Sequence, residues 1–293
     1  TGFGFSNEYT SMVYLGDNPF YDFDELYRSF RPDMRVWGWA GYFWANKQQP
    51  TFEPWWFALH RYGGFAFFAA TSFTPGGGSY NLLDVPGLGL TELGRLLKDG
   101  LSDSKLLNGI GKLFLEYDWK KRDIAVLYSQ PSMLVAWCRG KEKGRDGLVP
   151  GSPYYNWHHS RNNVRYLLEE LLYQYDFVSP EQVRQGMLDS YKALVLPHIE
   201  ALSDDEVKRI REFMAKGGTV ITDIAPAAYD DLGTPRKEVP FKATTDNKFV
   251  VFDTLFKSKD AGQSEKMLNL LTERGIEPII RCNDAASTYG REA

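Results

Sequence analysis

The residues best able to do chemistry are aromatic, and they crowd into one stretch of the chain. Five of the eight tryptophans lie between Trp37 and Trp56, and Trp37, Trp39, Tyr42 and Trp44 alternate along or just after an apolar run. Rings spaced by two in an extended chain present their faces to one side. Flat aromatic faces bind the apolar C–H faces of pyranose rings by burial and dispersion. Large rings also fill barrel interiors, so single members of this set suit a core, while the group as a whole is expected to give at least one face to substrate. Two of the carboxylates nearby in sequence are candidates. Asp17 follows an apolar run ending at Leu15 and either takes a sugar hydroxyl or closes a turn with Asn18 and Pro19. Glu53 opens a helical pattern, where the helix dipole stabilises a carboxylate whatever else it does.

The other reactive side chains point away from metal and cofactor chemistry. His158 and His159 are adjacent, so in a helix or a strand they project in different directions and grip one metal poorly; His60 and His198 have no ligand-spaced partners. Cys138 and Cys282 are the only cysteines. They are too isolated for a disulfide framework or a thiolate metal site, and they fit reducing and oxidising compartments alike. No GxGxxG or GxxxxGK pattern occurs, so no nucleotide cofactor is expected. A net charge of -4 without a basic cluster argues against a nucleic-acid partner. No apolar run approaches the roughly 18 residues of a membrane-spanning helix. The expectation is a soluble chain with no cofactor, and the sequence assigns no compartment.

Alternating elements must position these residues. Tyr9–Leu15, Met34–Trp44 and Gly64–Phe73 read as strands, and Asp24–Phe30, Glu53–Tyr62 and Leu90–Leu107 as helices. That is the order of parallel βα units. Within them, residues 35–39 and 65–71 are apolar at successive positions, as in strands buried on both faces. In a βα barrel the loops after such strands form the catalytic rim. A polar bridge, Glu116–Asp123, marks a boundary. Beyond it Ile124–Tyr128, Tyr191–Leu196, Thr219–Asp223 and Lys248–Phe256 read as strands. Ser160–Tyr175 reads as a helix with Val164, Leu167, Leu168, Leu171 and Leu172 on one stripe. Ser203 and Glu206 form a capping box for a helix that runs to Lys216 and stops at Gly217-Gly218. Gln263–Arg274 reads as a last helix, ended at Gly275. This half is expected to be a doubly wound, mostly parallel sheet of flavodoxin-like or amidotransferase-like type. The chain opens at Thr1 in a strand pattern and closes in the polar stretch Asn283–Glu292; both ends read as cuts through a longer protein.

Two segments carry a family resemblance. EPWWFALHRYGGFAFFAATSF, from Glu53 to Phe73, resembles the seventh helix and eighth strand of family 42 glycoside hydrolases. YKALVLPHIEALSDDEVKRIREFMAKGGTVITD, from Tyr191 to Asp223, resembles the glutamine-amidotransferase-like trimerisation domain of the same family. The resemblance implies about strands five to eight of a (β/α)8 barrel over 1–117, the trimerisation domain over 118–282 and the start of a further segment over 283–293. It implies a β-galactosidase-like enzyme that hydrolyses β-linked sugars by a retaining mechanism, with one carboxylate protonating the leaving oxygen and another attacking the sugar carbon. It also implies a homotrimer and a carbohydrate substrate, and it puts Ser72, Phe73 and Tyr80 in the loop of the sugar pocket.

The family's general acid follows strand four, outside this chain, and its nucleophile ends strand seven, where Val36–Gly41 holds no carboxylate. The pair Asn7-Glu8 looks like the family's Asn-Glu motif but lies only about thirty residues before strand seven, too close for strand four of one barrel. Glu8 and Glu53 are therefore weak catalytic candidates. The rival expectation is a catalytically silent barrel that binds carbohydrate or serves assembly. A third is a free-standing amidotransferase-like regulatory domain, although the second half lacks a cysteine in a strand-to-helix elbow, so glutaminase activity is not expected.

Overall fold

The computed structural model describes residues 122–140, 149–241 and 248–278 throughout and, before them, 37–41, 64–68, 82–83 and 89–100 with single positions at 26, 29, 30, 55, 58 and 109. The chain divides into two compact units, Thr1–Lys120 and Lys121–Ala293.

In the first unit the aromatic runs form β1 (Trp37–Gly41) and β2 (Gly64–Phe68). They pair in parallel, with Trp37 opposite Gly64 and Gly41 opposite Phe68. Parallel neighbours need a crossover between them, so this pairing is the βα grammar expected of the run. Helix α1 (Glu92–Gly100) buries Leu93 and Leu97. Its first turn is anchored by Thr91, whose N–H and hydroxyl both donate to the Leu82 carbonyl, at 3.1 and 3.2 Å.

The described residues of the second unit form a five-stranded, wholly parallel sheet in the order β4-β3-β5-β6-β7. Its elements in chain order are β3 (Ile124–Leu127), α2 (Gln130–Gly140), α3 (Pro153–Glu170), β4 (Tyr175–Val178), α4 (Pro180–Arg184), a 3-10 turn (Met187–Ser190), β5 (Ala193–Leu196), α5 (Asp204–Ala215), β6 (Thr219–Thr222), β7 (Phe249–Val251) and α6 (Ala261–Glu273). Every residue of β3, β5 and β6 is buried. That accounts for the unbroken apolar runs of β3 and β5, since strands covered on both faces do not alternate. Leu127, Leu194, Leu196, Val207, Ile210, Phe213 and Val220 belong to one core cluster.

Helix ends follow local chemistry. Ser203 caps α5 by accepting from the Glu206 N–H, and the Glu206 side chain accepts in return from the Ser203 N–H at 2.9 Å. Gly217, at φ 100, ends the helix in the left-handed region. Gly218 lies so near the Phe213 ring that a Cβ there would stand 2.3 Å from its Cζ.

Several elements depart from the sequence reading. The helix expected over Ser160–Tyr175 runs instead from Pro153 to Glu170, because Ser152 caps it and Pro153 pre-sets its first turn. Val164, Leu167 and Leu168 are fully buried, whereas Leu172 lies past the helix end with φ 60 and is exposed. Tyr175 belongs to β4, a strand the reading did not contain: four residues interrupted by Asp176 give too short a run. Helix α2 has no counterpart among the elements read from the sequence, because its buried Ser132 breaks the apolar stripe that would mark it. The strand expected over Lys248–Phe256 shortens to Phe249–Val251 and is followed by Asp253 in left-handed backbone, φ 61.

Candidate functional site

Of the aromatic set, Trp37 and Trp39 are placed in β1, opposite Gly64 and Ala66 of β2. Because Gly41 pairs with Phe68, the chain leaves both strands from the same end, toward Tyr42 and Trp44 after β1 and toward Ser72 and Phe73 after β2. Tyr42, Trp44, Ser72, Phe73, Tyr80, Asp17, Glu8 and Glu53 themselves lie outside the described residues. No carboxylate occurs within β1.

The described side chains gather a second, polar cluster at the carboxyl ends of β5 and β6. Asp223, directly after β6, is wholly buried. Its Oδ1 accepts from the His198 backbone N–H at 2.7 Å, and its Oδ2 accepts from the Ser160 hydroxyl of α3. Burial pushes the Asp223 carboxyl above the usual carboxylate range, against the pull of Ser160 and His198. His198 follows β5 with φ 49, a backbone conformation uncommon for a residue with a side chain. Its imidazole stands between two carboxylates, with Nε2 3.6 Å from Glu200 Oε1 and Nδ1 3.9 Å from Asp223 Oδ2. Glu200 is in turn held by Arg139 of α2, whose guanidinium lies 5.4 Å from the Tyr229 ring centroid. Although burial works to raise the Glu200 carboxyl, hydrogen bonds from His198 and Arg139 win, and it lies below its ordinary value.

This row of groups runs from the surface at Arg139 to the interior at Asp223. Both imidazole nitrogens face carboxylates of the chain itself, and the ring is buried, so it is not open to a substrate. The crevice between β3 and β5 is where the strand order reverses, the usual ligand position of open parallel sheets. Here the chain fills it: Ser132 Oγ donates to the Ala201 carbonyl at 2.9 Å and accepts from the Ala201 N–H at 3.0 Å.

Sequence reasoning missed this cluster by treating His198 as having no partners. Glu200 is two residues away and Asp223 twenty-five, neither a ligand spacing. The usable signal was a carboxylate directly after the buried strand TVIT. Among the described residues no group of three or more His, Cys, Asp or Glu side chains is arranged to hold a metal ion, and no helix is long and apolar enough to cross a membrane. Cys138 is an exposed free thiol on α2.

Solved structures share this architecture at low identity. A GH42 exo-carrageenase from Bacteroides ovatus superposes with a TM-score of 0.54 at 12% identity, over 86% of this chain and 32% of that one. That share is larger than either unit alone supplies. The fold is family 42-like. A β-galactosidase from the haloarchaeon Halorubrum lacusprofundi gives 0.52 at 14% identity, over 74% of this chain and 31% of its own. A β-galactosidase from Rahnella sp. R3 gives 0.53 at 11% identity, over 77% and 32%. The chain thus spans about a third of the length of these solved structures. No protein-family model and no curated protein matches the sequence.

Proposed function

We propose that this chain is part of a β-galactosidase-like glycoside hydrolase that, in the intact protein, cleaves β-linked sugars by a retaining two-carboxylate mechanism. The observation that carries the reading is the parallel β1–β2 pair, whose ends lead into the aromatic segments, together with a fold shared with glycosidases over most of the chain. In this reading residues 1–117 are the last part of a catalytic barrel and 118–282 an amidotransferase-like domain through which three copies assemble, with a further segment starting at 283. Trp37, Trp39, Tyr42, Trp44, Ser72, Phe73, Tyr80 and Asp17 line the sugar site, where aromatic faces stack on the pyranose.

Since β1 holds no carboxylate and the acid of such enzymes follows an earlier strand, the 293-residue chain is expected to be inactive by itself, with Glu8 and Glu53 the weak candidates it contains. The test is hydrolysis of aryl β-galactosides by the full-length gene product, with the anomeric product followed by NMR. Retention of configuration supports the reading. Turnover by the purified 293-residue chain, or inversion by the intact protein, refutes the division of labour. The absent carboxylate favours one alternative, a silent carbohydrate-binding or assembly module, which predicts saccharide binding without turnover in the intact protein.

A further inference from the structure

The carboxyl ends of β5 and β6 are covered by a small assembly that the glycosidase reading does not use. After β5 the chain turns at His198 (φ 49), and beyond β6 it turns at Ala227 (φ 62). Both are residues with side chains in the left-handed region, a conformation the surroundings must enforce. The segments beyond these turns pair with each other. Ala227 N–H donates to the Ile199 carbonyl at 3.0 Å, Tyr229 N–H to the Glu200 carbonyl at 2.9 Å, and Leu202 N–H to the Tyr229 carbonyl at 3.2 Å.

At the root of this ladder sits the Asp223 carboxyl group, which fixes the His198 turn through the 2.7 Å bond to its N–H. Among the described residues, few groups face it. From the β5–α5 connection come His198 and, behind it, Glu200; from α3 comes Ser160; from α2 comes Arg139, which reaches only as far as Glu200. The nearest side-chain nitrogen facing it, His198 Nδ1, is 3.9 Å from Asp223 Oδ2 and has no hydrogen-bond partner. A carboxylate with no solvent exposure and no close ion pair is costly to charge. With a proton on Oδ2 the group is uncharged, and Oδ1 still accepts from His198. Once ionised, it gains most by admitting water, and the pieces of chain above it are the two segments joined by the ladder.

We propose that Asp223 is the trigger of a pH-sensitive latch, which holds the 198–202 and 227–229 segments over the carboxyl ends of β5 and β6 while its carboxyl group carries a proton and loosens them when it ionises. Opening uncovers the carboxyl ends of these two inner strands, beside the crevice between β3 and β5 that the chain otherwise fills. Raised by burial, the carboxyl releases its proton above the ordinary aspartate range, so the latch is tight at low pH and loosens as pH rises through that value.

Hydrogen exchange measured by NMR on the whole chain from pH 4.5 to 7.5 tests this, with rates converted to protection factors so that intrinsic pH dependence cancels. The wild-type protein is expected to lose at least about tenfold protection at the Leu202, Ala227 and Tyr229 amides as pH rises, while Val195 and Ile221 in the strands hold theirs. In Asp223→Asn, which keeps an acceptor for His198, protection should stay level. Ser160→Ala removes a donor that favours the charged form, so the loss should move to higher pH; this variant serves if Asp223→Asn does not fold. Protection that does not change with pH in the wild type overturns the proposal. So does a loss that survives in Asp223→Asn, one abolished by Glu200→Gln instead, or one that Ser160→Ala leaves in place.

Discussion

Arg122 closes onto Asp176 across the first two strands of the second sheet, with Nη1 2.6 Å from Asp176 Oδ1 and 2.7 Å from the Tyr175 carbonyl. Arg122 is buried, and Tyr191 completes the site by donating its hydroxyl to Asp176 Oδ2 at 3.3 Å. The pair thus fixes the start of β3 against the start of β4, where the strands are only four residues long. Arg122→Ala should cost roughly 2–3 kcal/mol, below the range for a fully buried pair because Asp176 retains some solvent contact. Tyr191→Phe should cost about 0.5–1.5 kcal/mol. Urea unfolding of both variants checks the order, and an Arg122→Ala protein as stable as the parent would show the pair to be ornamental.

Gly218 is set by contact and Gly217 by conformation. A methyl group at 218 meets the buried Phe213 ring at 2.3–2.5 Å, so Gly218→Ala should lose about 1–3 kcal/mol to overpacking. Gly217 faces open space at φ 100, and alanine there should lose roughly 1–2 kcal/mol to backbone strain alone. Adding Phe213→Leu tells the two apart. It should relieve the Gly218 variant and leave the Gly217 variant unchanged, as read by thermal midpoints.

Glu206 caps α5 from a fully buried position, accepting from the Ser203 N–H and, at 2.7 Å, from its hydroxyl. Burial outweighs these bonds and pushes its carboxyl upward. A carboxyl raised in the folded state binds its proton more tightly there than in the unfolded chain. Its contribution is therefore greatest below the unfolded value of about 4.3 and shrinks as pH rises through the folded one. Glu206→Gln keeps an acceptor for the cap, so its cost should be smaller at pH 7 than at pH 4.5 when both proteins are unfolded in urea. A larger cost at pH 7 would mean that the charge gains more from the helix N-terminus than it loses by burial.

If the glycosidase reading holds, Tyr80→Ala in the full-length enzyme should raise KM for an aryl β-galactoside about tenfold, the loss of roughly 1–2 kcal/mol of aromatic contact. Its unfolding midpoint should stay that of the parent. A fall in stability with KM unchanged would place Tyr80 in a core.

Much of the second unit was legible because its signals are local. The Ser203–Glu206 box, the Gly217-Gly218 stop and the apolar runs of β3 and β5 each follow from a few adjacent residues. What escaped notice depends on distance. Asp176 inside YDFV reads as a break until Arg122, fifty-four positions earlier, is seen to pair with it. Ser132 inside α2 reads as a polar interruption until Ala201 is placed beside it. His198 looked idle for the same reason: Asp223 reaches it only once β5 and β6 lie side by side. In the first unit the parallel direction of β1 and β2 was legible from their uninterrupted apolar runs, whereas no carboxylate pattern there named a nucleophile.

The sheet order has a consequence for how the second unit is made. Strand β3 emerges first from the ribosome, yet its two neighbours are β4, some fifty residues later, and β5, later still. Until Leu196 has been synthesised, the segment IAVL has no complete set of partners, and its unpaired backbone must be kept from other sticky surfaces. Every pairing in this sheet closes a long crossover, so the unit should fold late and as a whole, and truncations that stop short of β5 should aggregate instead of folding in part.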